Sequence, residues 1–425
     1  MNILVIGSGG REHAIVRKLK ESPKTGKLWC APGNGGIAAD AECVSIGAMD
    51  IKGVVKFAQE NPVDLVFVAP DDPLAAGMVD ALEAAGIRAF GPHANAAVIE
   101  SSKVFSKNLM KKYNIPTARY EVFSEPAAAV AYIEEQGKFP VVVKADGLAL
   151  GKGVIIAEDL EAAKDAVHTI MEDKVFGASG NSVVVEEFLT GPEVSVLAFT
   201  DGKTLRPMVS SKDHKRALDG DKGLNTGGMG TISPNPYYTD AVAETCMETI
   251  FLPTIRAMQA EGRPFKGCLY FGLMLTPNGA KVVEYNCRFG DPETQVVLPL
   301  LETDLVDIIE AIWEEKLDEL DIKWSDKSCA CVVMASGGYP EKYESGKAIS
   351  GLDENGQSDK AYVYHAGTKL ENGTFYTAGG RVLGVTATDD TLRGALDKAY
   401  SAVATIGFEK AHYRRDIGKR ALAGK

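Results

Sequence analysis

The sequence predicts an α/β protein of two to four domains that opens with a parallel sheet. Three observations predict this. Apolar strand-like runs alternate with helical patterns over the first hundred residues, strand-rich segments fill much of the remainder, and 425 residues exceed what one hydrophobic core usually serves.

In chain order, short β-branched or aromatic runs predict strands at 3–6, 28–31, 43–46, 65–69 and 88–90, with helical patterns between them at 12–20, 51–59 and 74–85. A helix at 103–112 leads into a small α+β unit with strands at 119–123, 141–144, 154–157 and 183–187. Strands follow at 194–200 and 205–209, then a helix at 240–260, then a hairpin of 268–275 with 281–285 around Pro277-Asn278-Gly279. After a helix at 304–316, the polar stretch 317–327 reads as a boundary, and a strand-rich remainder carries one late helix at 392–406. The expected domains are therefore 1–102, 103–325 with a small lobe at about 119–192, and 326–425.

Composition narrows the function. A formal net charge of −12 and the lack of any Lys/Arg run argue against nucleic acid as a partner. Seven scattered cysteines, odd in number and mostly in apolar runs, read as reduced buried thiols of a cytoplasmic protein. Cys329 and Cys331 form C-x-C on a strand-like run, but nothing beside them completes a zinc set. Met1 runs directly into a strand, so no leader is expected, and no apolar stretch approaches the length of a membrane span.

The most informative stretch is K-V-V-E-Y-N-C-R-F-G-D-P-E-T-Q at 281–295, where a β-branched run delivers Glu284, Asn286, Arg288, Asp291 and Glu293 into one turn. On an extended chain Glu284 and Asn286 share a face, where their oxygens could hold a hard cation, and Arg288 has the parity to neutralise a phosphoryl oxyanion. Carboxylates at a strand end can also make plain surface ion pairs, but Cys287, Phe289 and Gly290 make this turn too apolar and too tight for that.

Other loops suit anions. G-S-G-G-R-E-H at 7–13 places Gly9, Gly10 and Arg11 at a helix start, where exposed amides suit a phosphate. His13 stands where a dinucleotide fingerprint needs its third glycine, so another phosphorylated ligand is favoured. A-P-G-N-G-G at 31–36 and A-P-D-D-P-L at 69–74 follow strands at the same sheet edge. K-A-D-G-L-A-L-G-K-G-V at 144–154 reads as a phosphate flap, with Gly151 and Gly153 letting amides approach and Lys144 adding charge, although it is not a Walker A loop. V-V-V-E-E-F-L-T-G-P-E-V at 183–194 supplies an apolar strand, then backbone and carboxylate groups, Glu187 among them, that could hold an adenine edge and a ribose. Finally, 211–230 reads as one long functional loop ending in T-G-G-M-G, a candidate anion nest, and His214 within it reads either as a solvated surface histidine or as an acid–base group.

Taken together, G-G-R-E-H, A-P-G-N, K-A-D-G-L-x-x-G-K-G-V, E-E-F-L, D-H-K-R, N-T-G-G-M-G, E-x-N-C-R-F-G-D-P-E-T-Q, H-A-G-T-K at 365–369 and G-G-R-V-L at 379–383 resemble the phosphoribosylamine–glycine ligases, a family of ATP-grasp enzymes, over essentially the whole chain. The resemblance implies an ATP-grasp fold with a Rossmann-like parallel-sheet N-terminal domain, a small mobile α+β lobe and a strand-rich C-terminal domain. It implies ATP-dependent joining of glycine to 5-phosphoribosylamine through glycyl phosphate, in de novo purine biosynthesis, by a monomer or weak homodimer. By the same resemblance Lys103 and Lys144 grip ATP phosphates, Glu186 and Leu189 hold the adenine, Glu193 holds the ribose, and Glu284 and Asn286 hold Mg²⁺ or Mn²⁺. Gly9, Gly10, Arg11, Asp213, Gly228, Arg288, Asp291 and Glu293 would contact substrate, with Arg288, Lys144 and Asp213 catalytic. Two departures stand out: Gly272 occupies the place of a further metal carboxylate, and Ala69-Pro70-Asp71 replaces a G-P-E loop. The flap alone would also suit another ATP-grasp carboxylate–amine ligase or a carboxylase. A regulatory nucleotide-binding protein is the alternative of another class, and intact Lys144, Glu284, Asn286 and Arg288 speak against it.

Overall fold

A computed structural model describes residues 1–148 and 153–423. The N-terminal sheet is parallel, with strands β1 (Ile3–Gly7), β2 (Leu28–Pro32), β3 (Glu42–Cys43), β4 (Leu65–Val68) and β5 (Arg88–Phe90) in the order β3-β2-β1-β4-β5. In β1 the side chains of Leu4 and Ile6 enter one core and those of Ile3 and Val5 another, so a strand apolar on both faces needs cover on both. The expected strand at 43–46 ends at Cys43, because Ile46 turns its amide to the carbonyl of Val44 and leaves the ladder. The expected helix at 74–85 is two, Asp71–Ala75 and Met78–Ala84, broken at Gly77, whose φ of +86° is left-handed.

The small unit is an antiparallel sheet of β6 (Tyr120–Phe123), β7 (Val141–Ala145), β8 (Val154–Ala157) and β9 (Val183–Glu187), in the order β6-β9-β7-β8. Val143, Val185 and Ile170 centre a core of its own, separate from the others. The next sheet runs β11-β10-β16-β17, with β10 at Glu193–Asp201, β11 at Leu205–Pro207, β16 at Lys266–Thr276 and β17 at Gly279–Asn286.

The segment 211–230, expected as one long loop, instead carries β12 (Lys212–Asp213), a hairpin of β13 (Arg216–Leu218) and β14 (Lys222–Asn225), and the first residue of β15 (Gly230–Ser233). Gly220 and Asp221, at φ +72° and +55°, close the hairpin turn, and its short charged strands carry little periodic signal. Strands β16 (Lys266–Thr276) and β17 (Gly279–Asn286) form the expected hairpin with an irregularity beside Gly272.

In the C-terminal region, β18 (Ser328–Ala335), β19 (Tyr362–His365) and β22 (Arg381–Asp389) join β12 and β15 in one sheet, ordered β12-β15-β18-β22-β19, while β20 (Thr368–Glu371) and β21 (Thr374–Thr377) pair separately. Two strands from residues 212–233 thus complete a sheet whose remainder lies beyond 327, and this brings the G-G-R-V-L segment against the T-G-G-M-G segment. The late helix is Leu392–Val403, and the hydroxyl of Thr391 accepts from the amide of Gly394 at its start. All seven cysteines are free, six of them buried and Cys43 exposed. Among the described residues no helix is long and apolar enough to cross a membrane.

Candidate active site

Strand β17 buries Val282 and Tyr285 and leaves Glu284 and Asn286 facing a cavity. Glu284 accepts from Lys215 Nζ at 3.1 Å, and this cation, ahead of the opposing effect of burial, holds its carboxyl down at about 2. Asn286 Oδ1 accepts from Arg288 at 3.2 Å. Opposite Glu284 across the ladder stands Gly272, where a Cβ would come within 3.0 Å of Glu284 Cγ, so a side chain at this position would have to shift Glu284 by a few tenths of an ångström.

Arg288 is anchored by Glu100 at 2.8 Å, with Asp71 at 3.7 Å. Burial acts against its charge, but Glu100 and Asp71 outweigh that and raise it. Glu100 also accepts from the amide of Cys287 at 2.7 Å, so one carboxylate fixes both the turn and the guanidinium. Arg288 Nε is buried without a partner among the described residues.

Lys144 Nζ donates to Glu186 Oε2 at 3.0 Å, and Lys107 shares that oxygen at 3.1 Å. The Glu186 carboxylate is thus engaged by two lysines, while its Oε1 is buried without a partner among the described residues. Burial pulls Lys107 down to about 8. Lys103 donates to the carbonyl of Gly147 at 2.9 Å. Glu187 accepts from the amide of Arg119 and from Lys281, both at 3.0 Å. Gly153 lines the cavity, and Gly151 lies outside the described residues.

Asp213 and Glu293 approach from different segments. Asp213 is raised well above the ordinary carboxylate range, first by burial and then by the charge of Glu293, while Tyr270 donates to Glu293 at 3.2 Å. Asp291 accepts from Gln295 at 2.7 Å and, at 3.4 Å, from the amide of Arg11. Arg381 donates to the carbonyls of Gly227 at 2.9 Å and Asp291 at 2.8 Å, and Tyr339 accepts from the amide of Gly227 at 3.2 Å. The amide of Gly228 is taken by Thr226 at 2.9 Å. The T-G-G-M-G end is therefore not an open nest: the amides of Gly227 and Gly228 go to side chains, and those of Thr226 and Met229 to the carbonyls of Lys215 and His214.

The N-terminal loops also differ from expectation. The amide of Gly9 donates to Glu12 at 2.6 Å, so a carboxylate from the same helix caps the site expected for phosphate. Arg11 donates to Glu12 at 2.6 Å and to the carbonyl of Phe289 at 3.1 Å, and it lines the cavity beside Asp71. Gly10 packs against the side chain of Gln295. The A-P-G-N loop faces the C-terminal domain instead: Asn34 donates to the carbonyls of Ser8 at 2.9 Å and His365 at 2.8 Å.

His214 is neither solvated nor placed for proton transfer. It is buried, and its two ring nitrogens meet the carbonyl of Gly230 at 3.1 Å and the amide of Gly418 at 3.1 Å. Burial, the largest influence on both, lowers His214 to about 4 and His365 to about 3. The unfolded chain binds these protons near pH 6.5 and the fold does not. Their contribution to stability is thus complete above about pH 6.5 and is lost as pH falls towards 4 and then 3, at no more than about 1.4 kcal/mol per pH unit for each histidine. Thermal unfolding from pH 7.5 to 4 is expected to show Tm falling below about 6.5, and a flat Tm would contradict this assignment.

These groups surround two adjoining cavities. One, about 450 Å³, gathers Lys144, Asp213, Glu284, Arg288, Glu293 and Arg381. The other, about 590 Å³, has Val142, Ile156, Leu189 and Met274 on its walls with Glu193 and Lys212. Lys144, Glu186, Asp213, Lys215 and Glu284 line both, so they stand where the two meet.

Residues 1–100, 101–294 and 329–420 match the N domain, the ATP-grasp (A) domain and the C domain of phosphoribosylglycinamide synthetase. A phosphoribosylamine–glycine ligase from Clostridium acetobutylicum is 48% identical over 99% of this chain and 100% of its own length. The chain belongs to the phosphoribosylamine–glycine ligase family. A solved phosphoribosylamine–glycine ligase from Thermotoga maritima superposes with a TM-score of 0.86 at 31% identity, covering 98% of this chain and 100% of that one. The trifunctional purine biosynthetic protein adenosine-3 of Gallus gallus is 48% identical over 99% of this chain and 42% of that protein. Within this phosphoribosylamine–glycine ligase, sequence reasoning singled out Lys144, Asp213, Glu284, Asn286, Arg288 and Glu293, which the fold brings to one cavity. It assigned no role to Glu100, Lys107, Lys215 or Arg381. Lys215 and Arg381 stood inside the quoted D-H-K-R and G-G-R-V-L motifs, whereas Glu100 and Lys107 carry no local signal.

Proposed function

We propose that this ATP-dependent ligase of purine biosynthesis activates glycine as glycyl phosphate and passes the glycyl group to the amine of 5-phosphoribosylamine. The observation that carries this reading is the pair of adjoining cavities with Lys144, Glu284 and Arg288 at or beside their junction. The larger, apolar-walled cavity suits a nucleotide, with Leu189 against the adenine and Glu193 at the ribose, and with Lys103, Lys144 and Gly153 of the adjoining cavity at the phosphates. The Glu186 carboxylate is held by Lys144 and Lys107 through Oε2, and its backbone is paired between β6 and β7.

Glu284 is ionised and stands beside the amide oxygen of Asn286, a pair of oxygen donors that fits Mg²⁺ held jointly with substrate phosphates. Bound there, the ion would neutralise charge on the transferring phosphoryl group. Opening of the Lys215 contact would free Glu284 for that role.

Asp213 and Glu293 are neighbouring buried carboxylates whose mutual repulsion a ligand ammonium would relieve, so we assign them to the amino end of glycine. That leaves the glycine carboxylate towards Lys144 and Arg288. The carboxylate oxygen attacks the γ-phosphorus, the bond from that phosphorus to the β-γ bridging oxygen breaks, and ADP leaves. The ribosylamine nitrogen then attacks the acyl carbon, releasing phosphate and one proton. Arg288 holds the phosphoryl oxygens in both steps. Arg11, Asp71, Asp291 and the turn of Gly9 and Gly10 border the side from which the ribosylamine would enter, and the turn of Gly228 lies beside Asp213. Closure of the small lobe would keep water from the acyl phosphate. We place the enzyme in the cytoplasm, in keeping with its free buried thiols.

Glycine-dependent ADP release with hydroxylamine replacing the ribosylamine tests the intermediate, since glycyl phosphate would yield glycine hydroxamate. Hydroxamate absent during rapid ADP release would overturn it. Glu284→Gln and Asn286→Ala are each expected to raise the Mg²⁺ concentration needed for half-maximal activity, read by titration at fixed ATP, and an unchanged midpoint would remove them as ligands. Arg11→Ala is expected to raise KM for phosphoribosylamine well above any change for ATP or glycine, and equal shifts in all three would assign it to the fold.

A further inference from the structure

We propose that the C-terminal segment 412–420 is a strap that positions the β13–β14 hairpin as a wall of the nucleotide cavity, with Arg414 its principal positioning residue. The inference rests on the nucleotide reading of the larger cavity. A two-stranded hairpin is marginal in water, and this one has little apolar anchorage, since its Leu218 and Leu224 are half exposed. Polar ties from the end of the chain hold it instead. Arg414, only 1% exposed, clasps Asp416 through two hydrogen bonds at 2.7 and 2.8 Å, reaches Asp221 in the hairpin turn at 2.9 Å and donates to the carbonyl of Arg216 at 3.2 Å. Asp416 accepts from the amide of Gly220 at 2.8 Å, Asp219 from the amide of Arg415 at 2.8 Å, and His412 meets the carbonyl of Ala217 at 2.7 Å.

The hairpin in turn positions the site. Its residues Arg216, Asp221 and Asn225 line the nucleotide cavity, as do Arg414 and Asp416 of the strap. At its base, Thr226 donates to the carbonyl of Lys215 through both its amide and its hydroxyl at 2.8 Å, and Lys215 is the residue that contacts Glu284. Releasing the strap therefore loosens one wall of the cavity and the lysine beside the proposed cation site, while the small lobe and its apolar adenine wall stay in place.

Steady-state kinetics with each substrate varied in turn, on folded Arg414→Lys and Asp221→Asn enzymes, tests this. Arg414→Lys keeps the charge and loses the fork, and Asp221, 35% exposed at its side chain, can be changed without opening a core. Both are expected to raise KM for ATP roughly tenfold, the loss of about one charge-assisted hydrogen bond, with KM for glycine nearly unchanged. Tryptic cleavage between 216 and 222 should be faster than in wild type and slowed again by ATP. Unchanged KM for ATP in both variants, or equal shifts for all substrates, would overturn the strap. Ile156→Trp, which narrows the cavity from the lobe side, separates the two readings. If it raises KM for ATP while the strap variants do not, the strap alone fails; if it leaves KM for ATP unchanged, the nucleotide reading fails.

Discussion

Lys144→Ala is expected to lower kcat by roughly a hundred- to a thousandfold while the protein remains folded, the scale for removing one preorganised donor from a developing oxyanion. Lys144 is nearly buried on β7, and its ammonium lies at the junction of the two cavities. Its removal need not strand Glu186, because Lys107 stays 3.1 Å from the same carboxylate oxygen. Stability and turnover should therefore separate: Tm near wild type, kcat collapsed. Single-turnover ADP formation in a sample of verified fold checks this, and near-normal kcat would remove Lys144 from phosphoryl transfer.

Arg288→Ala is expected to damage both. Glu100 is buried and takes one of its two strong contacts from Arg288, so truncation leaves an uncompensated carboxylate and should cost about 3–5 kcal/mol of stability. It also removes the charge assigned to the phosphoryl oxygens, for a further loss of roughly a hundredfold or more in kcat. Adding Glu100→Gln to Arg288→Met separates the two losses. The neutral pair should recover most of the lost Tm and none of the lost kcat. If activity returned with stability, Arg288 would be a structural residue only.

Much of this site was legible because its groups follow one another along single segments. Glu284, Asn286 and Arg288 sit at alternate positions of one strand and its turn, and Lys144 ends a β-branched run, so local period and residue type sufficed. The parallel N-terminal sheet was legible because its strands other than the short, exposed β3 are apolar on both faces. What escaped depends on contacts between distant segments. Glu100 and Arg288 are 188 positions apart, and Arg381 is 154 from Gly227, so nothing beside either residue announces its partner. The fate of the N-terminal amides escaped for a subtler reason. Gly9 and Arg11 do present a helix start, but Glu12 and Asp291 place carboxylates against it, and only three-dimensional packing decides which oxygen a helix amide receives. The 211–230 segment was misjudged because its hairpin is held by Arg414 and its neighbours rather than by any pattern of its own.

Oxygen tracing tests most directly whether this cavity activates the glycine carboxylate by phosphorylation. With glycine labelled by ¹⁸O in both carboxylate oxygens, one labelled oxygen per turnover should appear in inorganic phosphate and the other in the amide of the product. Unlabelled phosphate accompanying full product formation would contradict it.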